Sequence, residues 1–140
     1  MPNSKAATLC ACAYADMIRG AYPESGEYRI ALYRETLNTL ATDSYTPEGE
    51  WAGEGYKAGG AALSGWKLTT EENKASLAFA DAEWLNADIQ VKSALIYRES
   101  DGKAIRVIDF GRTIGVMGGI FTVFLSQGNV IELGAGDSNE

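Results

Sequence analysis

The most plentiful side chains able to do acid–base chemistry in this chain are carboxylates. There are 19 acidic residues and no histidine. Asp81 and Glu83 are two apart, so they share a face if that stretch is extended. A glycosidase needs two carboxyls about 5 to 9 Å apart, one of them with a pKa raised by burial. Acidic β-proteins offer many such pairs, and a solvated face is the simpler reading. Asp109 lies between Ile108 and Phe110 in an apolar run. Turned inward, it would need Arg106 or Arg112 beside it, which reads as a structural ion pair before a catalytic acid. The lack of histidine removes Ser-His-Asp and Cys-His catalysis and His-ligated zinc or copper. Cys10 and Cys12 alone do not complete a tetrahedral zinc site. Two apart on a helix they would point about 200° from each other and could not bridge, so they read as small packing residues.

The glycine motifs do not cradle phosphate. Gly53-x-Gly55 and Gly59-Gly60 lack the lysine spacing of a P-loop, and Gly115-x-x-Gly118-Gly119 leads into a strand, with no helix dipole to offer an anion. The expectation is a protein that is not an enzyme and holds no metal and no cofactor.

Three tryptophans and seven tyrosines could build a sugar platform or a protein interface. Trp66 and Trp84 read as core or core edge. Trp51 lies in the segment 42–65, which is poor in strand signal. Its 49–65 part holds six glycines in seventeen residues, with Tyr56 among them. Glycines let backbone approach another surface closely. Glu48, Glu50 and Glu54 could meet basic side chains, and Trp51 and Tyr56 could supply buried anchors. These five are the candidate partner-binding residues. The alternative is that the loop folds back and Trp51 caps the domain.

The elements that would position them follow from periodicity. Residues 4–20 are Ala-rich, with Ala6, Leu9, Ala13 and Met17 at helical spacing and Tyr14 and Ile18 beside them. Asn3 or Ser4 can cap the start and Gly20 can end the helix, with Arg19 favourable at its C-terminus. From Glu27 the period becomes two. Strands are expected over 27–34 with one face inward, over 66–70 and 75–80 as a hairpin, and over 89–98 with Ile89, Val91, Leu95 and Tyr97 on one face. Asp101-Gly102 marks a turn into a return strand over 103–110, with Ile105 and Val107 on one face. A last pair, 119–125 with 129–133, is joined through 126–128, and 137–140 reads as frayed. Strands do not alternate with helices, which argues against a βαβ fold and suits a mainly β, jelly-roll-like sandwich with one N-terminal helix.

A chain of 140 residues is one domain: helix 4–20, β-sandwich 27–134 with the long loop 42–65, and tail 135–140. Twelve bases against 19 acids give a net charge of −7, which argues against binding nucleic acid or an anionic membrane surface. No apolar run approaches the roughly 18 residues of a membrane span, and no secretion signal is visible.

One series of motifs is distinctive. The run from Trp51 to Gly65 precedes a hairpin and Ala82-Glu83-Trp84. Then come Ala94-Leu95-Ile96-Tyr97-Arg98, Ile108-Asp109-Phe110-Gly111 and Gly119-Ile120-Phe121-Thr122-Val123. Over about residues 28–133 this resembles the capsid cement (decoration) proteins of tailed phages, of the Bordetella-phage type. The resemblance implies a jelly-roll-like domain, made in the host cytoplasm, that binds the outside of the icosahedral head as a homodimer. Its partner there would be the major capsid protein, whose neighbouring subunits it would bridge. It implies no catalytic residue. An acidic charge suits the outer surface of a particle better than the DNA-lined inside. A carbohydrate-binding module of a phage fibre, stacking sugars on Trp51 and Tyr56, is the other reading.

Overall fold

The computed structural model describes residues 10–38, 41–71, 74–125 and 130–134. The protein is mainly β, with one helix among the described residues. The elements are α1 (Ala11–Ala21), β1 (Tyr28–Tyr33), β2 (Ala61–Ala62), β3 (Lys67–Glu71), β4 (Lys74–Ala78), β5 (Ala82–Arg98), β6 (Ala104–Val123) and β7 (Ile131–Gly134). They form a four-stranded sheet, β2-β1-β5-β6, and a three-stranded sheet, β3-β4-β7, with antiparallel pairing throughout.

The helix covers the second half of the expected segment; residues 4–9, with the expected caps Asn3 and Ser4, lie outside the described residues. It does not stop at Gly20. It runs to Ala21, and the Tyr22 N–H closes it on the Ile18 carbonyl at 2.7 Å. Its buried face is also rotated from the expected stripe. Ile18 is buried with Ala15, Tyr14 and Tyr22 pack beside them, and Met17 is exposed. The row at 14, 18 and 22 carries larger apolar side chains than the Ala13–Met17 row, so it wins the core. This face lies against β3, β4 and β7.

β1 forms where the alternation places it, but both of its faces are covered. Tyr28, Ile30 and Leu32 enter the main core; Ala31 and Tyr33 enter a second, smaller one with Leu95 and Tyr97. Leu37 and Tyr45 lie over that second face. The 66–70 and 75–80 hairpin is present as β3–β4, with Glu71 opposite Lys74.

The long hairpin β5–β6 differs most from expectation. β5 begins at Ala82 instead of Ile89. Irregular register between Val91 and Ser93 rotates the strand, so Ala94 and Ile96 follow Ile89 and Val91 into the main core. Leu95 and Tyr97 turn to the other face, which corrects the expectation of one shared face. A second irregularity, between Ile96 and Tyr97, separates Ile105 from Val107 in the same way.

The two expected segments 103–110 and 119–125 are one strand of 20 residues. It absorbs its glycines as bulges. Gly111, at φ 80°, donates its N–H to Asp109 Oδ1 at 2.8 Å; Gly118, at φ 68°, donates to Asp88 Oδ1 at 2.7 Å. Asp109 is therefore an exposed carboxylate that shapes a bulge, not an inward ion-pair partner. β7 is present, but it pairs with β4, not with 119–125. The expected joint at 126–128 and the tail 135–140 lie outside the described residues.

Candidate interaction surface

The 42–65 segment does fold back. Tyr33 forms a bridge with Glu50, Arg34 N–H binds the Gly49 carbonyl, and Trp51 N–H binds the Leu32 carbonyl, both at 2.9 Å. At its far end, β2 extends the sheet beside β1. Gly60 explains why glycine stands there. At φ 83°, a Cβ would lie 1.8 Å from the Ile30 carbonyl oxygen.

Glu50 is the centre of this arrangement. It is buried, and its carboxylate accepts hydrogen bonds from three donors: Tyr45 OH at 2.5 Å, Gly59 N–H at 2.8 Å and, very closely, Tyr56 OH. Tyr56 is buried too, its hydroxyl accepting the Leu32 N–H at 3.0 Å. Around them Tyr33 OH binds the Thr46 carbonyl, and Tyr97 OH and Arg29 bind the Gly59 and Gly60 carbonyls. Tyr45 and Tyr97 stack at 4.8 Å. Burial pushes the Tyr33 hydroxyl up to about 12. Burial first, and then the bond to Glu50, holds Tyr45 and Tyr56 higher still. A carboxylate is a costly group to bury, and three donors compensate it.

Of the five candidate residues, the structure brings Glu50 and Tyr56 together inside the domain. Trp51 is half-buried against the core and donates its indole N–H to the Asp88 carbonyl at 2.8 Å. Glu48 and Glu54 are exposed. Trp51 and Tyr56 do not make an open stacking platform, since the Tyr56 ring is enclosed and lies 6.2 Å from Trp84. Asp81 accepts the Leu125 N–H at 2.7 Å, and Glu83 is exposed on β5. Cys10 stands at the N-cap outside the helix, and both cysteines are free and exposed, not packing residues.

Two open features remain. A groove of about 660 Å³ lies between the end of α1 and the β5–β6 turn, from Gly20 to Asp101. Arg98 spans it, paired with Asp101 at 2.9 Å, bound to the Ala21 carbonyl and 5.9 Å from the Tyr22 ring centre. Among the described residues no cluster of three His, Cys, Asp or Glu side chains could hold a metal ion.

The second feature is β6 itself. It pairs with β5 on one side; on the other its first residue, Ala104, donates its N–H to the Asp43 carbonyl at 2.9 Å, and past that, among the described residues, no strand pairs with it. Large apolar side chains stand in solvent at its far end: Met117 80% exposed, Phe124 74%, Ile120 59% and, across on β5, Leu85 58%. Register makes them neighbours. Trp84 and Phe121 pair and point inward, so Leu85 and Ile120, next along each strand, point outward together. Ile120 and Phe124, four apart, share this outer face, with Thr122 between them in the alternation. Sequence reasoning singled out none of the four as a binding residue. The signal was the run of Ile120, Phe121, Val123, Phe124 and Leu125, interrupted only by Thr122, which exceeds what one buried face accepts.

No family model matches the chain, and neither the curated proteins nor the solved structures hold a significant match.

Proposed function

We propose that the chain is a structural virion protein. On this reading it binds the outside of an icosahedral phage head as a homodimer and cements neighbouring major capsid subunits, through a jelly-roll-like arrangement of its two sheets. The motif series from Trp51 to Val123 supports it by resemblance. The carrying observation is β6, which past Ala104 is an open edge strand with exposed apolar side chains on a hairpin otherwise firmly packed. Such an edge is a liability unless something covers it, and a second copy and a capsid surface are both suitable covers.

The test is to purify phage heads from the host that carries this gene. The protein should band with intact heads at a fixed ratio to the major capsid protein, accessible to protease from outside. Light scattering should give a dimer at micromolar concentration. Protein found only in the soluble fraction, or only on tail fibres, would refute the reading.

A further inference from the structure

We propose that the outer face at the far end of the β5–β6 hairpin, formed by Leu85, Met117, Ile120 and Phe124, docks a different protein. Its contact side chains would be apolar, with lysines or arginines around them. The inference rests on the virion reading for the partner's name, a major capsid subunit, but the chemistry is drawn from the face.

The four side chains stand 58% to 80% in solvent and together offer on the order of 500 Å². That is near the largest patch an ordinary monomer carries. The ground under them is stiff. Trp84 and Phe121 pack directly beneath, their rings 5.9 Å apart, and the Gly118 bulge is fixed by Asp88.

The charge around the face selects the partner. Glu83 pairs across with Thr122 and Asp88 with Met117, so both carboxylates project beside the apolar side chains. Asp81 lies next to Phe124 through its bond to the Leu125 N–H. The residues that register places beside the four are thus acids and neutral groups. A second copy of a chain with net charge −7 would add like charge at this border, whereas a basic rim would be complementary. The edge of β6 before Met117 is left for self-association.

The experiment uses the full-length chain and heads assembled with this gene deleted. The variants are the triple Met117→Ser, Ile120→Thr, Phe124→Ser and the single Glu83→Lys, all exposed positions, each checked by thermal melting. Wild type should bind the heads, with affinity falling as salt is raised. The triple variant should bind at least roughly tenfold more weakly, as anchor residues do, and Glu83→Lys should bind more weakly with a shallower salt dependence. If wild type binds and both variants bind as well as it does, the face is refuted while the virion reading stands. If wild type does not bind the heads, the virion reading fails and this inference with it. If the triple variant instead converts a dimer to a monomer, a second copy occupies the face and the inference is overturned. Should the triple variant melt early, Glu83→Lys decides alone.

Discussion

Replacing Tyr56 by phenylalanine keeps the ring against Trp84 and removes one oxygen. That oxygen holds two buried groups. It donates to the Glu50 carboxylate and accepts the Leu32 N–H at 3.0 Å. A hydrogen bond to a charged group contributes about 1.5–3 kcal/mol, and a buried donor left without a partner costs about 1–3 kcal/mol. The two terms share an atom and are not additive, so the expected loss is about 3 kcal/mol. For a domain of this size that lowers the melting temperature by roughly 10 °C. Tyr45→Phe removes a donor to the same carboxylate but leaves no backbone N–H unpaired, so about 1–2 kcal/mol is expected. Urea titration measures both, with an unchanged slope showing that only stability moved. A Tyr56→Phe loss below about 0.5 kcal/mol, or one smaller than that of Tyr45→Phe, would refute the view that Glu50 and its donors hold the 42–65 segment on the sheet.

Three more outcomes are expected. Tyr33, Tyr45 and Tyr56 all have pKa values raised by burial, so the folded state keeps protons that the unfolded chain releases. Their contribution is complete below pH 10 and is lost as pH rises from 10 towards about 12, where Tyr33 titrates; melts from pH 8 to 12 with tyrosinate absorbance check this. Gly60→Ala should cost about 3 kcal/mol or more, because a Cβ meets the Ile30 carbonyl at positive φ. Gly111→Ala, at a similar φ but in open space, should cost only about 1 kcal/mol. Trp51→Ala should lower stability by about 2 kcal/mol, since the indole packs on the core and holds the Asp88 carbonyl; calorimetry with no change in melting would place Trp51 outside the fold.

The local periods were legible. β1, the β3–β4 hairpin and the turn at Asp101-Gly102 follow from alternation and turn chemistry, and α1 from its spacing. Faces and pairings were less so. One irregular step at 91–93 moved Leu95 and Tyr97 to the opposite side, because a period of two leaves no tolerance for an inserted residue. The partner of β7 could not be read because pairing between distant strands leaves no mark in either one. The 42–65 segment carried a true signal with two meanings. Embedded aromatics and acids among glycines describe an interface loop, and equally a loop that encloses its own carboxylate. Tyr45, six residues before Trp51, and Gly59, the two remaining donors to Glu50, decide the matter only once they converge.

The same lock bears on how the exposed strand can be used. β6 is straight over short stretches and broken by bulges at Gly111 and Gly118. Bulges twist an edge away from indiscriminate strand addition. Beyond Gly118 the far end therefore offers side chains more readily than backbone, and its contact is a face contact. The regular stretch 106–109, past the irregular step at Ile105, is a better place for a second copy to pair. Gly115 keeps the two regions in fixed relation. A Cβ there would lie 1.8 Å from the Ile89 carbonyl oxygen, so β5 and β6 approach more closely than any other residue permits. A face fixed before contact loses little conformational freedom on docking, so a modest apolar area can still bind. The buried tyrosines and Glu50 act on that contact indirectly, by holding the segment whose Trp51 steadies β5 at Asp88. A Tyr56→Phe protein that still folds should then bind its partner more weakly without any change at Leu85, Met117, Ile120 or Phe124. Equal affinity of the folded variant would separate the lock from the face.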